Sequence, residues 1–324
     1  MKYKVLIVGL GNIAIGYDLF DKDQDCIKTH ARAFDMHNSF SLQGGVDCNA
    51  KSRKLFEDNY HAPSYTDLDD ALVDINPDLV VVSTPTVLHL GNVEVIIKHS
   101  SVKVILCEKP LSYHIKEAQE MVRLCSTNKI KLYVNFIRRA DPAVIKIKEW
   151  IDSRKIGKPI KGVVWYSKGL IHNGSHFIDL LKHWFGPIQS SFIIDNGQKL
   201  SQGDVEADFK LNFKDVSMIF TATREEFFSH YTIELISPNG RLRYDRGGKL
   251  VIWQDRSSNA QGNQAKVLLN NETVIKSNLS KYQKNVVNQL NMVIKGQDSY
   301  LCTGEQALEL SKDIFSIIKK IKYV

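Results

Sequence analysis

The chain has 324 residues, 43% of them hydrophobic and 24% charged, a globular balance that accommodates about two domains and a sizeable core. Its formal charge of +7 suits anionic ligands, but Lys and Arg are spread along the sequence rather than massed on one element, which excludes the usual pattern of a nucleic-acid binder. Val5 to Ile15 is apolar but too short to span a bilayer and has no cleavage site after it, and the five cysteines are far apart with no CxxC pair, so the expectation is a cytoplasmic chain with no membrane segment, disulfide framework or structural zinc.

In chain order, Tyr3 to Val8, Leu42 to Val46, Leu79 to Ser83, Lys103 to Cys107 and Leu132 to Val134 read as short apolar strands buried on both faces. Between them Ala50 to Tyr60, Leu68 to Asp74, Leu88 to His99 and Ile115 to Asn128 carry helical spacing. This alternation predicts an α/β domain, a doubly wound parallel sheet of the Rossmann kind, over 1–136. A helix from Pro142 to Ser153 follows. Then Ile160 to Tyr166, Ser191 to Ile194, Ala207 to Phe213, Ser217 to Thr223, Tyr231 to Ile236, Arg241 to Tyr244 and Leu250 to Trp253 succeed one another between turn residues. They predict an α+β domain over 137–324 with a mostly antiparallel, open-faced sheet. Ser257 to Gln264 reads as a surface loop. Two helices, Tyr282 to Ile294 and Glu305 to Ile321, close the chain, the second capped by Thr303 and free to pack back on the first domain.

The first strand runs into Gly9-Leu10-Gly11-Asn12-Ile13-Ala14, a GxGxxA turn where strand meets helix. Gly9 permits the tight turn, Gly11 lets the backbone approach a pyrophosphate, and Ala14 lets helix and strand pack closely. The N–H groups of Asn12 and Ile13 then face the anion. An ordinary glycine turn is the plainer alternative. Asp47, ending the second strand, is placed to accept ribose hydroxyls or is only a turn aspartate. It comes later than the usual distance of about 20 residues, because Tyr17 to Lys28 reads as an inserted loop before a short helix from Thr29. A carboxylate there repels a 2′-phosphate, which favours NAD, although Lys51 and Arg53 are near enough to keep NADP possible.

Ser83-Thr84-Pro85-Thr86, with His89 after it, ends the predicted strand Leu79 to Ser83, and Cys107-Glu108-Lys109-Pro110 ends the next. Both fall at carboxyl ends of strands, where open α/β sheets bind ligands. A lysine between a buried strand and a proline is open to desolvation and to proton exchange near neutrality; a solvated strand-end lysine is the commoner fate. Downstream, His172-Asn173-Gly174-Ser175-His176-Phe177-Ile178-Asp179 puts His176 and Asp179 on one face of a helix starting near Gly174. His172, His176, Asp179 and His183 also recur at a spacing that zinc could use, a reading weighed against Gly174 in the first turn; no metal is expected. Arg138, Arg139 and Asp141 either reach a substrate, Arg139 above all, or form a boundary salt bridge.

GLGNIA, STPTVLH, CEKP and GSHFID, in this order, resemble the glucose-fructose oxidoreductase and inositol dehydrogenase (Gfo/Idh/MocA) family over nearly the whole chain. The resemblance implies a cis bond between Lys109 and Pro110. It implies that Thr84, Pro85 and His89 line the dinucleotide, that Glu108 contacts its ribose, and that Lys109 and His176 meet over substrate and nicotinamide as catalytic groups. The family's Asp or Asn four residues before that histidine is His172 here, so His172 or Asn173 takes the substrate contact, with Asp179 beside them. The family acts mainly on sugars, polyols and nucleotide-linked sugars, and the stretch Gly169 to Gly186 looks most like members that build surface polysaccharides. The competing reading is a regulator of the same fold that binds dinucleotide or sugar without chemistry. Phe209, Leu211 and Phe213, alternating on one face, are expected to bury that face in a homodimer or homotetramer.

Overall fold

A computed structural model describes residues 2–257 and 266–322 apart from positions 20, 22 and 24, so 258–264 of the expected surface loop lie outside the described residues. In chain order β1 (Tyr3–Val8) leads through a five-residue π turn, Asn12–Gly16, to α1 (His30–Asp35), β2 (Phe40–Val46), α2 (Ala50–Tyr60), β3 (Ser64–Tyr65), α3 (Leu68–Ile75) and β4 (Leu79–Val82). Next come α4 (His89–Ile96), β5 (Val104–Cys107), α5 (Ile115–Thr127), β6 (Lys131–Val134), α6 (Pro142–Asp152), β7 (Ile160–Tyr166) and α7 (Ser175–Phe185). Then follow β8 (Ser190–Lys199), β9 (Val205–Phe213), β10 (Val216–Ala222), β11 (Thr232–Ser237), β12 (Gly240–Asp245), β13 (Leu250–Arg256) and β14 (Leu268–Ile275). The chain ends with α8 (Tyr282–Ile294), β15 (Cys302–Thr303) and α9 (Gly304–Lys320). It divides into two compact units: Met1–Ala140 with Ser280–Ser311, and Asp141–Leu279 with Lys312–Val324.

In the first unit the sheet order is β15-β6-β5-β4-β1-β2-β3. β1 to β6 are parallel, and only the short β15 runs antiparallel, against β6. The strands are buried because helices cover both faces, as parallel sheets require. One face carries Val5, Ile7, Leu79, Val81, Val104 and Leu106, packed with Phe34 of α1 and with Val286, Leu290 and Val293 of α8. That helical stripe brings Ser280–Ser311 into this unit. Ile137 and Ala140 join the same cluster, which moves the end of the first segment from the expected residue 136 to Ala140. Thr303 does cap α9: its hydroxyl accepts the Gln306 N–H while the Gln306 side chain accepts the Thr303 N–H, both at 3.3 Å, a capping box.

The chain after the glycine turn follows the expected insertion from Tyr17 to Lys28 and the short helix from Thr29. The helix stops at the π turn and resumes as α1 at His30, after the thirteen intervening residues 17–29. Asp18 closes this excursion, accepting Lys28 N at 2.6 Å, Thr29 N at 3.0 Å and the Thr29 hydroxyl at 2.6 Å. The insertion is thereby pinched at its base, and Ala14, Ile15, Ala31 and Phe34 enter one core.

The second unit's sheet has the order β14-β13-β12-β11-β7-β10-β9-β8 and is antiparallel apart from the β7–β10 pair. Its inner face buries Val164, Tyr166, Phe209, Leu211, Phe213, Phe220, Leu235, Tyr244 and Trp253. α7 lies over that face, with Phe185 edge-on to Phe213 and Trp184 edge-on to Tyr244. Phe209, Leu211 and Phe213 are therefore buried within the chain itself, Phe213 against α7, and not by another subunit as expected. The opposite face carries Trp165, Ile219 and Ile236, each at least 40% exposed. Among the described residues no helix is long and apolar enough to cross a membrane.

Candidate functional site

β1 stands between β2 and β4, so the sheet's connections turn in opposite directions on its two sides, the switch point where open α/β sheets form their crevice. Gly9, at φ +90°, makes the turn there, and a Cβ on it would lie 2.7 Å from Thr84 N and 2.8 Å from Ser83 C. Only glycine lets the ends of β1 and β4 stack so closely. The Ser83 hydroxyl donates to Gly9 O at 2.8 Å, fastening the two turns together.

Gly11 is exposed, and a Cβ on it would meet nothing within 4 Å. Packing within the protein does not demand glycine at this position, whereas the close approach of a pyrophosphate does. Asn12 is exposed and Ile13 half-buried beside it. The residues present thus fit a dinucleotide. Since φ at Gly11 is −82°, Gly11→Ala is expected to leave thermal stability within about 0.5 kcal/mol of the parent. The same change weakens NADH binding by roughly tenfold or more, to be read by fluorescence titration beside a melting curve.

Asp47 ends β2 half-buried. Its Oδ2 accepts Leu10 N at 2.7 Å and its Oδ1 accepts Asn49 N at 2.8 Å. Each oxygen keeps a lone pair for a ribose hydroxyl, so the aspartate shapes the glycine turn and stays available to a ligand. Arg53 reaches back to the same strand end and donates to Asp47 O at 2.8 Å.

Thr84 is half-buried and Pro85 exposed at the end of β4. His89, expected to line the dinucleotide, has no accessible surface. Its Nδ1 lies 3.1 Å from Leu111 O and its Nε2 3.0 Å from Thr84 O, and burial pushes its pKa below the usual histidine range. It braces the turns after β4 and β5 from beneath. At the end of β5 the Lys109–Pro110 bond is cis and Lys109 is half-buried. Glu108 beside it is engaged by residues that the motifs do not mark: His30 Nε2 at 2.8 Å and Asn135 Nδ2 at 2.7 Å from Oε1. Gln283 accepts from Asn135 Nδ2 at 3.3 Å. His30 and Gln283 are fully buried.

Arg139, expected at the substrate, is 4% exposed and donates to Gln306 Oε1 at 2.6 Å, next to the capping box of α9. Burial and that bond make it an anchor for the helix start. Asp141 likewise caps α6, accepting Ala143 N at 2.9 Å and, on its other oxygen, Asn278 N at 2.8 Å.

In the second unit the motif His172 to Asp179 lies on a π turn, Leu170–Gly174, and the first turns of α7. Gly169, at φ +80°, opens the turn, and a Cβ there would run into the Asp204 carboxylate. Asp204 holds the loop from beneath, accepting Ile171 N at 2.7 Å and His172 N at 3.0 Å. Separated from the loop by 32 and 33 residues, it has no spacing signal by which to be found. His172 is exposed; Asn173 donates to the Tyr231 hydroxyl at 2.9 Å. His176 and Asp179 share the buried face of α7. Among the described residues no group of three or more His, Cys, Asp or Glu side chains is placed to hold a metal ion.

Residues 3–136 match the GFO_IDH_MocA family, described as an oxidoreductase family with an NAD-binding Rossmann fold. The D-xylose 1-dehydrogenase [NADP(+)] of Haloarcula marismortui is 35% identical over 100 residues, 31% of this chain and 27% of that protein. An inositol 2-dehydrogenase of Rhizobium meliloti is 30% identical over 132 residues, 40% of this chain and 39% of that one. The chain thus matches well under half the length of these curated relatives. Among solved structures the WlbA dehydrogenase from Bordetella pertussis, in complex with NADH and UDP-GlcNAcA, superposes with a TM-score of 0.76 at 16% identity. That match covers 98% of this chain and 95% of that one and shows a shared fold. Residues 3–136, with their glycine turn at the switch point, thus match the NAD-binding Rossmann fold of the GFO_IDH_MocA oxidoreductase family.

Proposed function

We propose that the chain is a nicotinamide-dependent dehydrogenase or reductase that moves a hydride between the cofactor and a hydroxyl-bearing or keto carbon. The substrate proposed is a sugar, a polyol or, in surface-polysaccharide synthesis, a nucleotide-linked sugar. The observation that carries this reading is the strand-end crevice of the first unit, where Gly9, Gly11, Asp47, Thr84, Glu108 and Lys109 all stand at carboxyl ends of adjacent parallel strands. Relatives named for xylose and inositol dehydrogenation support the substrate class.

A bound nicotinamide supplies the two-electron acceptor or donor. The protein's task is the proton, because a carbinol carbon gives up hydride only as its hydroxyl proton leaves. In the proposal Lys109 takes that proton and His176 orients the same oxygen or relays the charge; in reverse the pair protonates a ketone oxygen. Asn173, His172 and Asp179 form the substrate's polar surround. Asp47 makes NAD the preferred dinucleotide by repelling a 2′-phosphate. No disulfide joins any of the five cysteines, in keeping with a reducing cytoplasm.

The test is absorbance at the nicotinamide band with NAD+ and NADP+ against sugars, polyols and sugar nucleotides. Turnover with at least one of them, faster with NAD+, is expected. NADH binding with no turnover across the panel favours the regulator instead.

We also propose that the chain forms a homodimer or homotetramer through the outer face of the second unit's sheet, where Trp165, Ile219 and Ile236 are exposed. Light scattering after size exclusion is expected to show the oligomer for the parent. Trp165→Glu combined with Ile219→Lys is expected to weaken it by roughly a hundredfold, since each buried side chain contributes about 1.5–3 kcal/mol. A double variant that stays oligomeric contradicts this face.

A further inference from the structure

The carboxylate of Glu108 is shared unequally. Oε1 is taken by two buried groups, His30 Nε2 at 2.8 Å and Asn135 Nδ2 at 2.7 Å, while the described partner of Oε2 is the Lys109 N–H at 3.4 Å. Because an ionised carboxylate only accepts, His30 Nε2 is the nitrogen that carries a proton toward it. His30 reaches this position because Asp18 pinches off the insertion and restarts the helix at Thr29. Among the described residues its Nδ1 is buried without a hydrogen-bond partner, and its Nε2 also has Gln283 Nε2 at 3.4 Å, so the shorter contact, to Glu108, is the ring's main bond. With the side chain 14% exposed, Oε2 is the oxygen left for a ligand.

We infer that His30 is a positioning residue for the dinucleotide, holding Glu108 by Oε1 so that Oε2 stays a charged acceptor for a cofactor hydroxyl. The inference rests on the dinucleotide reading of the strand-end crevice. Burial alone drives the Glu108 carboxyl up; the His30 bond and charge, the Asn135 amide and the Lys109 charge outweigh it and hold it below the ordinary 4.5. Around it also stand His89 of α4, Tyr282 of α8 and Cys107, the last two pushed up by burial with help from the Glu108 charge. The sign follows. In the parent, Glu108 favours the folded state above about pH 4.5, and this contribution fades as pH falls through the lower folded value. Without His30 the burial push is no longer countered to the same degree, and the carboxylate is lost at a higher pH.

The experiment is NADH binding by fluorescence between about pH 8 and pH 6 in the parent, His30→Ala, His30→Gln and Asn135→Ala, with melting curves of the dinucleotide-free proteins alongside. The parent is expected to bind with nearly constant affinity. His30→Ala is expected to bind within about threefold of the parent at the higher pH and progressively more weakly toward the lower, the loss growing to about tenfold per pH unit once the pH is below the raised carboxyl value. Asn135→Ala moves in the same direction, and His30→Gln, which keeps a donor, restores the flat profile. In a Glu108→Gln background His30→Ala adds no pH dependence. A loss in His30→Ala equal at both pH values, or no loss, overturns the inference while leaving the crevice reading intact. A parent that binds no NADH overturns the crevice reading itself.

Discussion

Lys109→Ala is expected to lower turnover by roughly a hundredfold or more while dinucleotide affinity stays near that of the parent. The lysine follows a strand buried along its whole length and is half-buried itself, beside the turn that ends β4. Loss of a general base removes an interaction that matters only as the proton moves, so kcat and kcat/KM fall together. The phosphates are left to the glycine turn, and Glu108 retains His30 and Asn135. Lys109→Arg preserves the positive charge but cannot accept a proton near neutrality, and it is expected to fail almost as fully. Steady-state rates at saturating NAD+, paired with NADH titration, separate the two quantities. A kcat within about threefold of the parent in either variant contradicts the assignment.

Gly9→Ala has a different signature, because it strikes fold and cofactor at once. The positive φ strains any side chain, and the atoms a Cβ would meet are backbone atoms of Ser83 and Thr84, which cannot rotate away. Separating the turns also loosens the Ser83–Gly9 and Asp47–Leu10 hydrogen bonds. Destabilisation of roughly 3 kcal/mol is expected from strain and broken bonds combined, read in urea melts, with NADH binding abolished. Gly11→Ala, two residues on, is expected to spare the fold and lose affinity. Equal stability of the two variants contradicts the roles assigned to the two glycines.

Much of the first unit was legible because buried parallel strands write themselves as apolar runs: Tyr3–Val8 and Leu79–Val82 stand almost where the pattern puts them. Strands β3 and β15, of two residues each, carry no pattern to read. β14 escaped for another reason: apart from Ile275 its residues are exposed, so LLNNETVI has no alternation of inside and outside. The return of Ser280–Ser311 to the first unit is a tertiary choice, since an apolar stripe on α8 says that something is covered but not what.

The site divides in the same way. Gly9 and Asp47 announce themselves because local geometry demands their residue types at strand ends, and Lys109 because it stands between a buried strand and a proline. His30, Asn135, Gln283 and Asp204 act through partners that only folding brings near, so the sequence shows them as ordinary polar residues. His89 and Arg139 lay in telling motifs, yet burial turns both toward backbone or side-chain partners beneath the surface. Position in a motif identifies a neighbourhood, and burial decides which side of it a residue faces.

The most direct test is a crystal structure of the protein with NAD+ and a compound from the panel that it oxidises. The account predicts Lys109 Nζ and the His176 ring both within about 3.2 Å of one substrate oxygen, with the pyrophosphate over Gly11. A dinucleotide bound elsewhere, or a substrate oxygen reached by neither group, would contradict it.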